Sequence, residues 1–210
     1  MRVFVSVVLA LALMPGIAAA QEYQAGEQYR RVEPSQPTTS EDQIEVIEFF
    51  SYGCSHCFEF RPMLHGWLEQ AGDDIELKRV PVTFGRQSWA LLAKAYYAAQ
   101  ALGVIEQIDK PLFEAIHVDG RQFSNEQELA DFFAQHGVDR QAALNAFDSF
   151  AVEVNLRRAE RMVHSYGVRA TPSMAVAGKY LVDPSAAGGQ EAMLGVVDFL
   201  INKERTSGKR

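Results

Sequence analysis

The chain has 210 residues, of which 48% are hydrophobic, enough for a sizeable core that needs no covalent staples. Its 27 acidic and 20 basic side chains give a formal charge of −7 with no long run of one sign, which argues against nucleic acid as a partner. Its only cysteines, Cys54 and Cys57, stand in one short Cys-Ser-His-Cys motif.

In chain order, residues 1–20 come first and predict an export signal. Arg2 opens it, residues 3–13 are apolar apart from Ser6, and Pro15-Gly16 precedes the small residues Ala18-Ala19-Ala20. Cleavage is expected after Ala20, leaving a mature charge of −8, because Arg2 is the segment's only charged side chain (−7 − 1 = −8). A membrane anchor is disfavoured, since a spanning helix needs about 20 apolar residues. The absence of cysteine at the cleavage point disfavours a lipid anchor.

Residues 33–40 are rich in Pro, Ser and Thr and read as a loop. Residues 44–50 then form a β-rich run that Ser51-Tyr52-Gly53 breaks. A helical pattern opens at Cys54, with Cys57, Phe60, Leu64, Trp67 and Leu68 on one apolar face. Cys57 falls on the buried side of that helix and Cys54 at its exposed tip.

Residues 75–84 read as a strand with Pro81 near an end or an edge. Helical periodicity follows over residues 88–102, 105–116, 126–135, 140–150 and 152–166, punctuated by Gly103, Gly120 and Gly137. Strand signals return over residues 173–182. The pair Thr171-Pro172 before them reads, on its own, as a turn or strand start.

The cysteine spacing carries the chemistry. A structural disulfide across so short a loop contributes only about 2 kcal/mol. A closed zinc site calls for four ligands, and no second cysteine pair exists. Covalent haem attachment calls for a histidine directly after the second cysteine, where Phe58 stands. Redox exchange remains: unsatisfied N–H groups and the positive end of the helix dipole stabilise a thiolate at Cys54. His56 is placed to donate a hydrogen bond to that sulfur or, protonated, to stabilise it by charge, the alternative being a solvated histidine. His65, His117, His136 and His164 have no partner pattern and read as surface or core filler.

Several motifs together resemble the DsbA family, thioredoxin-fold thiol oxidases of the Gram-negative periplasm. They are Tyr23-Gln24-Ala25-Gly26-Glu27-Gln28-Tyr29, Glu48-Phe49-Phe50-Ser51, the Cys54 to Cys57 motif, Pro111-Leu112-Phe113-Glu114, Thr171-Pro172 and Gly178-Lys179-Tyr180. The resemblance implies an α/β thioredoxin fold with an inserted all-helical domain. Residues 21–85 and 161–210 would form the thioredoxin domain, and residues 86–160 the insertion, a lid beside the active site. It further implies a cis Thr171-Pro172 bond beside the cysteines, with Thr171 pairing to substrate backbone. It sets Arg79 opposite Glu48, a carboxylate in an otherwise apolar strand that either modulates thiol exchange or forms a structural ion pair.

The implied activity is oxidation of newly exported polypeptides through a mixed disulfide on Cys54, by a monomer that needs no organic cofactor or metal. A DsbB-like, quinone-linked membrane protein would reoxidise it. Ser55 stands where the family's best-known motif has proline, and Thr171 where it has valine. Both positions tune thiolate stability and substrate contact. The alternatives are an isomerase or reductase of the same fold, a non-catalytic peptide-binding chaperone, and a soft-metal carrier.

Overall fold

A computed structural model describes residues 22–40 and 42–208, so the expected export signal lies outside the described residues. A five-stranded mixed sheet has the spatial order β1-β5-β4-β2-β3. Its strands are β1 (Arg30–Arg31), β2 (Ile44–Phe50), β3 (Ile75–Pro81), β4 (Ser173–Val176) and β5 (Tyr180–Val182).

Strands β2 and β3 run parallel, which needs a crossover, and α1 (Ser55–Leu68) supplies it. β4 pairs antiparallel with β2 and turns back into β5. The β-rich stretch 173–182 is thus a hairpin, folded where Ala177 and Gly178 take positive φ of 52° and 67°. Glycine is required at 178 by proximity as well, since a Cβ there would fall 2.0 Å from the Gln36 carbonyl oxygen. The loop around residues 33–40 therefore lies against the hairpin, with Gln36 N–H donating to the Gly178 carbonyl over 2.8 Å.

Five helices occupy the chain between β3 and β4: α2 (Gln87–Ala101), α3 (Ile105–His117), α4 (Glu126–Gln135), α5 (Arg140–Phe147) and α6 (Phe150–Tyr166). The last three start at side-chain caps, with Asn125, Asp139 and Ser149 accepting from the N–H groups of Glu128, Ala142 and Val152. Gly167 closes α6 in the left-handed conformation. The architecture is the α/β thioredoxin fold with helical insertion that the resemblance implies.

The expected strand over residues 75–84 ends at Pro81. The sequence reading also missed three elements: β1, the short α7 (Pro184–Ala187) and α8 (Gln190–Ser207). α8 buries Met193, Leu194, Val196, Val197, Leu200 and Ile201.

The apolar contacts form two clusters. One joins α8 to Phe60 and Leu64 of α1 and to Val46, Met174 and Val176 of the sheet. The larger joins the inserted helices to Phe49, Phe50, Tyr52 and both cysteines. Each fully buried Phe, Leu or Ile in them contributes roughly 1.5–3 kcal/mol by leaving water. Packing on both sides of β2 fixes the loop that follows it, and that loop carries Cys54.

Candidate active site

Cys54 is the N-cap of α1, in an extended conformation (φ −102°, ψ 113°), and makes no side-chain cap hydrogen bond. Its N–H donates to the Ser51 carbonyl at 3.1 Å, and its carbonyl accepts from Cys57 and Phe58 at 3.1 and 3.2 Å. The sulfur is left free to receive hydrogen bonds from the first turn of the helix.

Both cysteines are in the free thiol state. Cys57 is fully buried, and Cys54 is only 8% exposed. The order expected from the helix face holds, but the tip is far less exposed than periodicity alone suggested.

The two sulfurs differ strongly in acidity. A hydrogen bond from the Cys57 thiol does most to lower the Cys54 pKa, to about 5. Burial opposes this, while the Thr171 side chain and the backbone N–H groups of Cys57 and His56 add to it. Cys57 is driven the other way, first by burial, then by the Cys54 sulfur and the negative charge of Glu48. One thiolate is therefore favoured at Cys54, while Cys57 keeps its proton.

Thr171 and Pro172 stand beside this pair, joined by a cis peptide bond as the resemblance implies. In its thiol form Cys54 donates from Sγ to the Thr171 carbonyl, 3.4 Å away. A carbonyl accepts only from the thiol, so ionisation gives up that contact and leaves the Thr171 side chain as the stabilising partner. Ser55 is exposed at the first position of α1.

His56 differs from expectation. Its ring is largely solvent-exposed, with Nδ1 3.1 Å from Glu59 Oε2, so the imidazole pairs with that carboxylate. The His56 backbone N–H is what serves the Cys54 sulfur. Its carbonyl accepts a 2.7 Å hydrogen bond from Gln190 Nε2 at the start of α8.

Glu48 is buried and lies in register with Arg79 on β3. Arg79 Nε donates to Glu48 Oε2 at 2.6 Å, and its guanidinium carbon sits 4.0 Å from the centre of the Phe50 ring. Burial raises the Glu48 carboxyl above the usual carboxylate range against the pull of Arg79.

Four neighbours escaped the sequence reading: Asp109, Arg61, Tyr52 and His117. Asp109 Oδ1 accepts from Arg79 Nη1 at 2.6 Å and from Tyr52 OH at 2.8 Å, and Oδ2 accepts from Arg61 Nε at 2.8 Å. A signal for Asp109 existed, as an acid at helical spacing among the buried Ile108, Leu112 and Phe113 of α3. His117, read as filler, instead donates from Nε2 to the Tyr52 carbonyl at 2.7 Å and stacks on Phe58 with ring centres 5.2 Å apart. Among the described residues, no group of three or more His, Cys, Asp and Glu side chains is arranged to hold a metal ion.

Residues 45–194 match the model of a family described as DSBA-like thioredoxin domain. The thiol:disulfide interchange protein DsbA of Pseudomonas aeruginosa is 35% identical over 210 residues, covering 100% of this chain and 99% of that one. Its namesake from Azotobacter vinelandii is 36% identical over 186 residues, 89% of this chain and 86% of the other. Among solved structures, Pseudomonas aeruginosa DsbA superposes with a TM-score of 0.85 at 35% identity, covering 90% of this chain and 97% of that one. The Xylella fastidiosa oxidoreductase DsbA gives 0.82 at 32% identity, over 88% and 98%.

Proposed function

The chain belongs to the DSBA-like thioredoxin-domain family, and on that premise we propose the reaction that its cysteines carry out as a protein thiol oxidase. In the oxidised protein a Cys54–Cys57 disulfide meets a reduced polypeptide. A substrate thiolate attacks Cys54 Sγ, a substrate–Cys54 disulfide forms, and the electron pair of the broken bond leaves on Cys57, which takes up a proton. A second substrate thiolate then attacks the substrate-side sulfur, and Cys54 leaves as thiolate. The substrate is oxidised by two electrons, and the two cysteines are reduced.

One observation carries this direction of reaction: the acidity difference between the two sulfurs, with Cys54 at about 5 and Cys57 far above the ordinary thiol. A stabilised Cys54 thiolate makes it the better leaving group, so electrons flow toward the protein. Thr171 and Pro172 fit a role in aligning an extended substrate segment through the Thr171 backbone, with Ser55 on the exposed rim of the same face. Glu48, balanced by Arg79, fits the role of exchanging a proton with Cys57. The inserted helices form the wall on the far side of the cysteines.

The substrates in this reading are newly exported proteins in the periplasm, reached after cleavage following Ala20, a placement supported by the pattern of residues 1–20. A quinone-linked membrane partner of the DsbB kind returns the cysteines to the disulfide. Redox titration against glutathione, together with oxidation of a two-cysteine peptide, tests the whole reading. A strongly oxidising potential with stoichiometric peptide oxidation is expected, whereas a potential in the reducing range would make the protein a reductase.

A further inference from the structure

The charge balance around Glu48 is completed from outside the thioredoxin core. Arg79 divides its guanidinium between Glu48 of β2 and Asp109 of α3, each at 2.6 Å. Asp109 is held in turn by Arg61 of α1 and by Tyr52 of the loop that precedes Cys54. Two carboxylates and two guanidinium groups thus meet in one partly buried network, and one acid of the four comes from the inserted helices.

We propose that Asp109 and Arg61 are positioning residues that set the proton affinity of Glu48 and, through it, the protonation of Cys57. The inserted segment then tunes the redox centre electrically besides walling it. This rests on the oxidase reading, in which Cys57 must gain a proton on release and lose it on reoxidation.

Glu48 and Asp109 compete for one cation, Arg79. Arg79 bonded to Asp109 has less to give to Glu48, and the negative charge of Asp109 adds repulsion, so Asp109 favours the protonated Glu48. Arg61 favours the ionised form, and it is held near by the other oxygen of the same Asp109 carboxylate. The charged and titratable groups facing Glu48 are Arg79 from β3, Asp109 from α3, Arg61 and Cys57 from α1 and Tyr96 from α2, while Tyr52 from the loop faces Asp109. Such interactions are strongest at Glu48 itself, which is fully buried.

Arg79 and Asp109 also reach the solvent side of the network. A cavity of about 820 Å³ is lined by Arg79, Asp109, Tyr96 and Lys78 among others, and it opens at the surface. When Cys57 is released as a thiolate, the proton passes from the Glu48 carboxyl to the Cys57 sulfur, and Glu48 later regains one from solvent. The reverse sequence accompanies reoxidation.

The test follows the Glu48 carboxyl by carbon NMR titration in the disulfide form of the full chain, for the wild type, Asp109→Asn and Arg61→Gln. The titration midpoint is expected to fall by about one unit in Asp109→Asn and to rise by a similar amount in Arg61→Gln. The inflection in the pH profile of peptide oxidation should move in the same opposite senses. Loss of packing alone would shift both variants in one direction or neither, and either result overturns the proposal. If Asp109→Asn does not fold, Arg61→Gln decides, because Arg61 is partly exposed, and an unmoved midpoint there is enough to refute it. A wild type that fails to oxidise peptide while the midpoints still move apart would remove the oxidase reading and leave the charge coupling standing.

Discussion

The sulfur of Cys54 lies 3.4 Å from the carbonyl oxygen of Thr171, a residue 117 positions further along the chain. That contact joins the helix that activates the thiol to the loop proposed to present the substrate. The Thr171 side chain also stabilises the thiolate. Thr171→Val removes that contribution and keeps the carbonyl. The Cys54 pKa should rise from about 5 by up to about one unit, read from thiolate ultraviolet absorbance against pH. No change would assign the stabilisation to Cys57 and the helix N–H groups alone.

Cys57→Ala removes the thiol that resolves the mixed disulfide and also the largest contribution to Cys54 acidity. Adducts with substrate proteins should therefore accumulate on non-reducing gels, while the Cys54 pKa moves up toward the ordinary thiol value. Cys54→Ala should trap none, and equal trapping by the two variants would reverse the assignment of the nucleophile.

Thiolate stabilisation must also appear in folding. The folded Cys54 pKa of about 5 lies below the unfolded value of about 8.5, so its contribution to the reduced fold is complete above about pH 8.5. It shrinks as pH falls and is gone below about pH 5. Near neutral pH it is on the order of 2 kcal/mol after allowance for solvent screening. Above about pH 8.5 the elevated Cys57 pKa works against the fold instead, because the unfolded chain then releases that proton more readily. Urea unfolding should find the reduced form more stable than the disulfide form near neutral pH, with the gap closing toward about pH 4. A disulfide form that is the more stable at neutral pH would contradict the oxidase reading.

Gly53 separates Tyr52 from Cys54, and the Trp89 indole packs directly on it. A Cβ at this position would lie 2.5 Å from Trp89 Nε1. Gly53→Ala should cost about 1–3 kcal/mol and displace Trp89, visible as a change in tryptophan emission alongside the urea midpoint. Unchanged emission and stability would mean that the α2 start yields without cost.

Much of this arrangement was legible in the chain. The strand-turn-helix unit around Cys54 announces itself because apolar alternation changes to helical spacing within a few residues, and among the five inserted helices α4, α5 and α6 start at polar caps while glycines mark several of the breaks. β1 could not be read, since Arg30–Arg31 owes its strand geometry wholly to pairing with Tyr180 and Leu181. α8 was readable from its apolar spacing but followed a β-rich stretch without a strong polar cap: Gly189 occupies its N-cap and makes no side-chain hydrogen bond. The pairing of Glu48 with Arg79 came from family likeness rather than from the local pattern, because register between distant strands leaves no trace in either strand alone. His56 shows the remaining limit. Its place in the motif is fixed by sequence, but the choice between Glu59 and the sulfur is made by a side-chain rotamer.

The sheet order also dictates a timetable. β2 and β3 come from the first half of the chain, but their neighbours β4 and β5 come from near its end, and β1 has no partner until β5 exists. A chain made from its N-terminus onward therefore cannot complete this sheet until Val182 has emerged. Cys54 likewise cannot gain its Thr171 contact before residue 171 is made, and the backing that Gln190 gives to the His56 carbonyl comes later still. The nascent protein thus passes through a stage in which its own two thiols are as unprotected as those of the polypeptides it is proposed to oxidise.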